Sequence, residues 1–494
     1  MNTSIIRYIL GHIIKLEGFF MLLPCVVAII YKEPQLSSYL IISGVCMLLG
    51  SLLTLKKSKD TVFYLKEGCI ATVLSWASLS FFGALPFILT GEIPHFTDAI
   101  FETVSGFTTT GASILNDVET LCHASLFWRS FTHWIGGMGV LIFLLAVVPM
   151  SGGSNMNLMR AESPGPSVGK LVPKMRHTAR ILYIIYFALT IIELIALCLT
   201  KMPLFDSFCI AFGTAGTGGF GILNSSIANY GVYSQWVVTV FMLIFSINFY
   251  AYYLIIFGEF KKAVSMEEVR IFFTIVICAI IFILVDTHEM FESSSEAIRT
   301  VAFQVASIIS STGFATTDFD LWPGFSKTIL VLLMFIGACA GSTGGGIKVS
   351  RFVIMGKSIL RELNSYIHPK SVKQVVIDKK EVEANVIRSV GIYMITFFAV
   401  FVLSVLLIAL EEKDLVTNFT AVTTTLNNIG PGLSMVGPTQ NFSHFTDLSK
   451  WVFIFDMLAG RLELFPLLIM FHPSIWHDLI IKSLRKKKRQ KYYS

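Results

Sequence analysis

Apolar runs about twenty residues long follow one another through most of this 494-residue chain, each long enough to cross a hydrocarbon core roughly 30 Å thick as a helix. They fall at 18–31, 39–55, 68–89, 126–149, 179–199, 235–257, 271–285, 326–340 and beyond, 390–410 and 451–471. Lipid offers no hydrogen-bond partners, so such runs must satisfy their backbone internally, and an all-α polytopic fold follows. Charged residues make up only 14% of the chain, against about a quarter in soluble domains, which excludes water as the main solvent. The first run is preceded by Arg7, Lys15 and Glu17, so its opening half reads as interfacial rather than spanning. No small-residue cleavage site of a signal peptide is seen.

Lys and Arg gather at alternate ends of these runs: Lys56, Lys57 and Lys59; Arg160, Lys170, Lys174, Arg176 and Arg180; Lys261, Lys262 and Arg270; 348–361; and the tail Arg485, Lys486, Lys487, Lys488 and Arg489. Positively charged loops stay cytoplasmic, which places both termini inside. The net charge of +6 is thereby accounted for by topology and contact with anionic membrane lipid, not by nucleic-acid binding. The eight cysteines are scattered, mostly within apolar runs and without CxxC spacing, and read as small core residues.

After the first two runs a unit recurs: apolar span, short external turn, half-length helix, Gly/Thr/Ser-rich stretch, second span. The stretches are 105–112, 213–220, 310–315 and 425–432, and aligning them on Gly111, Gly219, Gly313 and Gly430 gives separations of 108, 94 and 117 residues. A period near one hundred fits one such unit per repeat. Non-helical backbone at membrane depth survives only where it is buried in protein or lines water, so the four stretches are expected to face one another. Glycine at the same place in each lets the backbone take positive φ and turn carbonyl oxygens toward a shared axis. The half-helices before them, 96–107, 204–215, 296–309 and 414–425, would aim their partially negative C-terminal ends at that axis and favour a cation. Thr110, Thr217, Ser311, Thr312 and Asn428 would add side-chain oxygens without fixed charge, which suits a monovalent ion. Glycine and serine also serve simple helix packing, but four copies at matching places, each behind a half-length helix, favour a filter.

Two glycine patterns resemble nucleotide loops without their context. Residues 216–221 match GxGxxG but follow no strand, and 341–348 lack the Gly-Lys-Ser/Thr of a phosphate loop. The second, with Gly341, Gly344, Gly345, Gly346 and Lys348, interrupts the eighth span and reads as a movable loop below the filter, the alternative being a kink between packed helices. The last span carries Asp456, Arg461 and Glu463. Such charges usually face a bundle interior, with Asp456 and Glu463 expected on one helix face and Arg461 looking into the pore. A salt bridge to an acid on another helix, such as Glu102 or Glu193, is the alternative. Arg129 and His133 read as anchors at the outer interface.

These residues together resemble the Trk/Ktr/HKT superfamily of potassium transporters, most closely its Trk-type transmembrane subunits. The resemblance covers nearly the whole chain and is carried by His133-Trp134-Ile135-Gly136-Gly137-Met138-Gly139, the four glycine stretches, 341–348 followed by Arg351, and Ala459-Gly460-Arg461-Leu462-Glu463-Leu464-Phe465-Pro466. Two extra N-terminal spans are a feature of the Trk branch. It implies a potassium filter at Thr109, Thr110, Gly111, Thr217, Gly218, Gly219, Ser311, Thr312, Gly313, Asn428, Ile429 and Gly430, with the ion held at Thr110, Gly111, Gly218, Gly219, Thr312, Gly313, Ile429 and Gly430. It also implies a gating loop facing Arg461, a homodimer in the bacterial inner membrane, and a cytoplasmic ring of NAD- or ATP-binding regulatory subunits. Nucleotide then belongs to that partner, and this chain carries no cofactor beyond the transported potassium. Sodium-preferring plant relatives can carry serine where Gly111 stands, so potassium is the expected ion, while the divergent fourth stretch at Asn427, Asn428, Ile429, Gly430 and Pro431 puts its stringency in question. The implied organisation is 1–66 extra spans, 67–178 first repeat, 179–269 second, 270–387 third with the gating loop, 388–480 fourth, and 481–494 basic tail. Channel-like and proton- or sodium-coupled transport both stay open, as does a broken-helix transporter for another solute. An intramembrane enzyme is not expected, for want of an HExxH site or a nucleophile and base pair.

Overall fold

Large apolar side chains face outward as well as inward, with Leu48, Phe282, Ile395 and Leu406 exposed, while Thr108, Thr110, Ser310, Thr425 and Asn427 are fully buried. A chain solvated by hydrocarbon hides its polar groups where they can bond to one another. The computed structural model describes residues 2–56, 64–139, 175–370 and 373–475. The end of the fourth expected span at 140–149, the basic residues Lys57, Lys59, Arg160, Lys170 and Lys174, and the basic tail lie outside them. Among the described residues the regular backbone is helical except for one hairpin of two-residue strands, Val376–Ile377 against Lys380–Glu381. Among the described residues six helices are long and apolar enough to cross a membrane, seven if one bent pair counts as a span.

The opening segment departs from expectation. Thr3–Phe20 and Leu22–Tyr31 together form a 29-residue apolar span, with Ile5, Ile6, Ile9, Ile13 and Ile14 buried. Its two cations reach the far end of the next helix, Leu36–Thr54: Arg7 donates to the Lys56 carbonyl and Lys15 to Thr54 Oγ1, each at 2.6 Å, while Glu17 is buried with neither carboxylate oxygen hydrogen-bonded. Glycine makes this pairing close, since a β-carbon at Gly50 would lie 2.6 Å from the Gly11 carbonyl oxygen.

Three other expected spans are broken. The run 235–257 is two helices, Val232–Ser246 and Phe249–Ile256, bent by 92°, and Asn248 at the corner caps the second by accepting from Tyr250 N at 2.9 Å. The run from 326 ends at Ile336, where Gly337 turns to φ 68°, and helix resumes only with Val349–Ile367. The last run is helical over Asp447–Arg461 and then breaks at Glu463 and Leu464, both at positive φ. Asp456 and Glu463 therefore do not share a helix face. Asp456 accepts from Ser404 at 2.7 Å, while Glu463 pairs with Arg351.

Candidate pore and gate

Four short helices, Phe96–Phe107, Leu204–Gly216, Ser294–Ile309 and Leu415–Leu426, end in the same local structure. The residues just beyond, Thr109, Thr217, Ser311 and Asn428, take left-handed φ of 54° to 58°. Each donates its N–H three residues back, to the carbonyls of Gly106, Thr214, Ile308 and Thr425, while Thr110, Gly218, Thr312 and Ile429 donate five back, to Ser105, Gly213, Ser307 and Thr424. This is the Schellman closure, which satisfies the helix's last carbonyls and turns the chain sharply. One residue further, Gly111, Gly219, Gly313 and Gly430 are again at positive φ, 74° to 99°.

The four turns meet in cyclic order. A β-carbon at Gly111 would overlap the carbonyl oxygen of Gly218, one at Gly219 that of Thr312, and one at Gly313 that of Ile429; at Gly430 it would lie 2.8 Å from the oxygen of Thr110. Each glycine is thus packed on the next turn's carbonyl, and the fourth closes on the first. A cavity of about 170 Å³ touches all four glycines on one side.

Of the side-chain oxygens expected to help hold an ion, those of Thr110, Thr217, Ser311 and Thr312 bond within the turns, while Asn428 Oδ1 has no hydrogen-bond partner. Thr110 Oγ1 meets Thr108 Oγ1 at 2.8 Å and accepts from Asn428 Nδ2 at 2.9 Å. Thr217 and Ser311 hydroxyls donate to the carbonyls of Gly216 and Ser310, and Thr312 Oγ1 meets Ser310 Oγ at 2.7 Å. Buried hydroxyls usually find partners, and for these four residues the turns themselves provide them.

On the other side of the ring lies a second cavity, about 90 Å³, lined by Gly137, Gly344, Lys348, Asn428, Arg461 and Glu463 among others. Part of its wall is the glycine-rich loop between Ile336 and Val349, which is bonded to the turns. Gly345 N donates to Ser311 Oγ at 2.5 Å and Gly346 N to the Asn427 carbonyl at 2.9 Å. Lys348, itself at φ 75°, donates to the carbonyls of Gly344 and Gly345 within the loop. Gly341 accepts from Phe249 N at 3.0 Å, and Glu268 accepts from Ala340 N and Ser350 N. Arg461 spans the cavity: Nη1 donates to the Thr343 carbonyl at 2.9 Å, and Nη2 to those of Gly136 and Gly137 at 2.5 and 2.8 Å.

Arg129 and His133 are not interfacial anchors: they are 2% and 0% exposed and lie behind the first two turns. Arg129 pairs with Glu102 at 2.7 Å and donates to the Gly221 carbonyl at 3.2 Å. Glu102 also accepts from Ser113 Oγ and Ile114 N, so it is not a partner of Arg461. The sequence signal that could have revealed this pair is Glu102 itself, a carboxylate midway along a membrane half-helix that needs a buried cation. Replacing Glu102 by Ala leaves that guanidinium uncompensated and is expected to cost about 3–5 kcal/mol. The measurement is the thermal unfolding midpoint in detergent. Replacing Glu102 and Arg129 both by Met should recover most of the loss, and an unchanged midpoint for the single variant would count against a structural pair.

A family model described as TrkH, cation transport protein, matches residues 39–478. The Trk system potassium uptake protein TrkH of Salmonella typhimurium is 34% identical over 489 residues, covering 97% of this chain and 100% of that protein. The protein of the same description from Escherichia coli K12 is 35% identical over the same coverage. The crystal structure of the potassium transporter TrkH from Vibrio parahaemolyticus superposes with a TM-score of 0.87 at 32% identity, covering 96% of this chain and 100% of that one. The long apolar helices, the ring of four turns and the full-length likeness agree: this chain belongs to the TrkH family of cation transport proteins.

Proposed function

We propose that the chain is the ion-conducting membrane subunit of a potassium uptake system and that potassium passes along the axis of the ring. The observation that supports this reading is the cyclic packing of the four glycines on the next turn's carbonyl, an arrangement in which equivalent backbone oxygens could surround one axis. Carbonyls of Thr110, Gly111, Gly218, Gly219, Thr312, Gly313, Ile429 and Gly430 would stand in for the ion's hydration shell, and four helix C-termini add negative potential without a carboxylate. Relatives matched over their full length are named potassium uptake proteins, which supports potassium as the ion.

In this reading the four helix–turn–helix units are pseudo-repeats, at 67–178, 179–269, 270–387 and 388–480, preceded by an added helix pair in 1–66. The glycine-rich loop is the gate, and its bonds to Ser311 and Asn427 hold it closed beneath the ring. Opening breaks those bonds. A homodimer in the inner membrane with both termini cytoplasmic, and a cytoplasmic nucleotide-binding ring acting on the gate, complete the proposal. An interior-negative potential contributes about 2.3 kcal/mol per elementary charge per 100 mV, enough to drive uptake without another fuel.

The test is rubidium uptake into potassium-loaded liposomes containing the full chain, with external potassium or sodium as competitor. Uptake suppressed by potassium and little affected by sodium is the expected result. Rubidium uptake suppressed equally by both ions would defeat the selective pore, and coupled counterflow of another solute in its place would favour a broken-helix transporter.

A further inference from the structure

Between the first and second turns sits a single imidazole whose two nitrogens are both spoken for by backbone. His133 Nδ1 lies 2.7 Å from the carbonyl oxygen of Gly106, and Nε2 lies 3.2 Å from Phe220 N. A carbonyl can only accept and a backbone N–H can only donate, so Nδ1 carries the proton and Nε2 bears the lone pair. The ring thus joins the last turn of the first short helix to the residue following Gly219.

Further contacts make His133 a wall behind the second turn. A β-carbon at Gly218 would overlap ring atoms of His133, and one at Gly216 would overlap its backbone carbonyl. The second turn is therefore pressed directly on His133. On its other side, the Gly218 carbonyl oxygen occupies the space that Gly111 leaves by lacking a β-carbon. Ring, Gly218 and Gly111 form one stack, so the imidazole limits how far the Gly218 carbonyl can withdraw toward the helix behind it. Phe220 is held in the same register, with its ring centroid 4.3 Å from that of His133 and 4.1 Å from the Arg129 guanidinium. Other junctions of the ring are closed by different groups: Ile227 N donates to the Ala315 carbonyl, Ser226 Oγ accepts from Ala315 N, and Asn428 Nδ2 reaches Thr110.

We propose that His133 is a specificity-determining positioning residue, a brace that fixes the spacing of the Gly218 carbonyl across the ring and so sets the preference for potassium over sodium. The proposal rests on the pore reading above. A cage of neutral oxygens separates two monovalent ions through its size and the field its oxygens exert. A carbonyl free to move inward by a few tenths of an ångström accommodates the smaller ion as well.

The experiment separates the two bonds. Asparagine places an N–H near the position of Nδ1 and keeps the bond to Gly106, whereas glutamine reaches the position of Nε2 and can accept from Phe220. In the liposome assay the unaltered protein is measured first: if it shows no potassium-preferring rubidium uptake, the pore reading fails before the brace is tested. Given that uptake, His133→Asn is expected to lower the potassium-over-sodium preference at least about tenfold, by freeing the second turn, while His133→Gln keeps more of it. Rubidium uptake itself should persist in both. Folded variants whose preference stays within about twofold of the parent would overturn the proposal, as would equal losses of uptake and preference in both, which would mark a merely structural residue. A second measurement needs no variant. Nitrogen-15 spectra of the histidine-labelled, full-length protein in lipid should contain a neutral imidazole protonated at Nδ1. If every neutral imidazole is protonated at Nε2, the brace as described does not exist.

Discussion

Gly219→Ala is expected to suppress potassium-sensitive rubidium uptake by roughly two orders of magnitude while leaving a folded protein, because its strain of about 1–3 kcal/mol is concentrated at one point of the ring. Gly219 has φ 74°, where an L-residue's β-carbon is disfavoured by about 1–2 kcal/mol. The added carbon also overlaps the Thr312 carbonyl oxygen and would lie 2.8 Å from its carbon. Neither can be relieved by a flexible side chain, since the neighbour is backbone. The ring is closed, so moving the third turn away from the second alters its packing on the fourth as well. Gly44→Ala is the matched control: Gly44 lies in Leu36–Thr54, has nothing within 4 Å of its missing β-carbon, and should leave uptake unchanged. A folded Gly219→Ala protein with parental uptake and parental discrimination between potassium and sodium would remove the ring from the conduction path.

The positions of the four turns are legible in the sequence because two independent constraints coincide there. A half-length helix must stop, and the stretch after it must take positive φ twice. The expected half-helix 96–107 matches Phe96–Phe107, and 204–215 and 296–309 fall within two residues of Leu204–Gly216 and Ser294–Ile309. What hydropathy cannot report is direction. The run 235–257 stays apolar through a 92° bend, and the only local sign of the corner is Asn248 among apolar residues. Depth is equally hidden. Arg129 and His133 stand near the start of an apolar run, where charge ordinarily marks the interface, and only their partners, Glu102 and the backbone at Gly106 and Phe220, show that they are inside. Likewise Arg7, Lys15 and Glu17 made the first span look interfacial, yet the glycine-mediated approach of Gly11 and Gly50 lets that helix bury its apolar face. The local bonding of the Thr110, Thr217, Ser311 and Thr312 side chains is hidden from the sequence for a related reason. A hydroxyl buried in a tight turn has backbone and neighbouring hydroxyls within reach before any ion arrives.

Arg461→Ala is expected to raise rubidium uptake about tenfold in liposomes lacking any cytoplasmic partner, and three effects of the substitution act in the same direction. The first is charge. A guanidinium opposes a cation about 6 Å away by about 3 kcal/mol at an effective dielectric near 20, a ceiling that water in the cavity lowers. The second is the release of acceptors: the carbonyls of Thr343, Gly136 and Gly137, now occupied by Arg461, would be available to a passing cation. Gly136 and Gly137 end the helix His123–Gly137, so these oxygens carry the negative end of its dipole. The third is mechanical, because Arg461 is a tie between the glycine-rich loop at Thr343 and that helix end, and cutting it frees the loop to follow Lys348 and the helix beyond. Glu463, next to the cavity, keeps its pair with Arg351 and adds no new barrier. Two further substitutions separate the contributions. Arg461→Lys keeps the charge but cannot reach all three carbonyls with a planar fork, and Arg461→Gln keeps a donor without charge. A rise in Ala and Gln but not in Lys assigns the barrier to charge, and an equal rise in all three assigns it to the tie. Unchanged or reduced uptake in a folded Arg461→Ala protein would place this residue outside both the barrier and the gate.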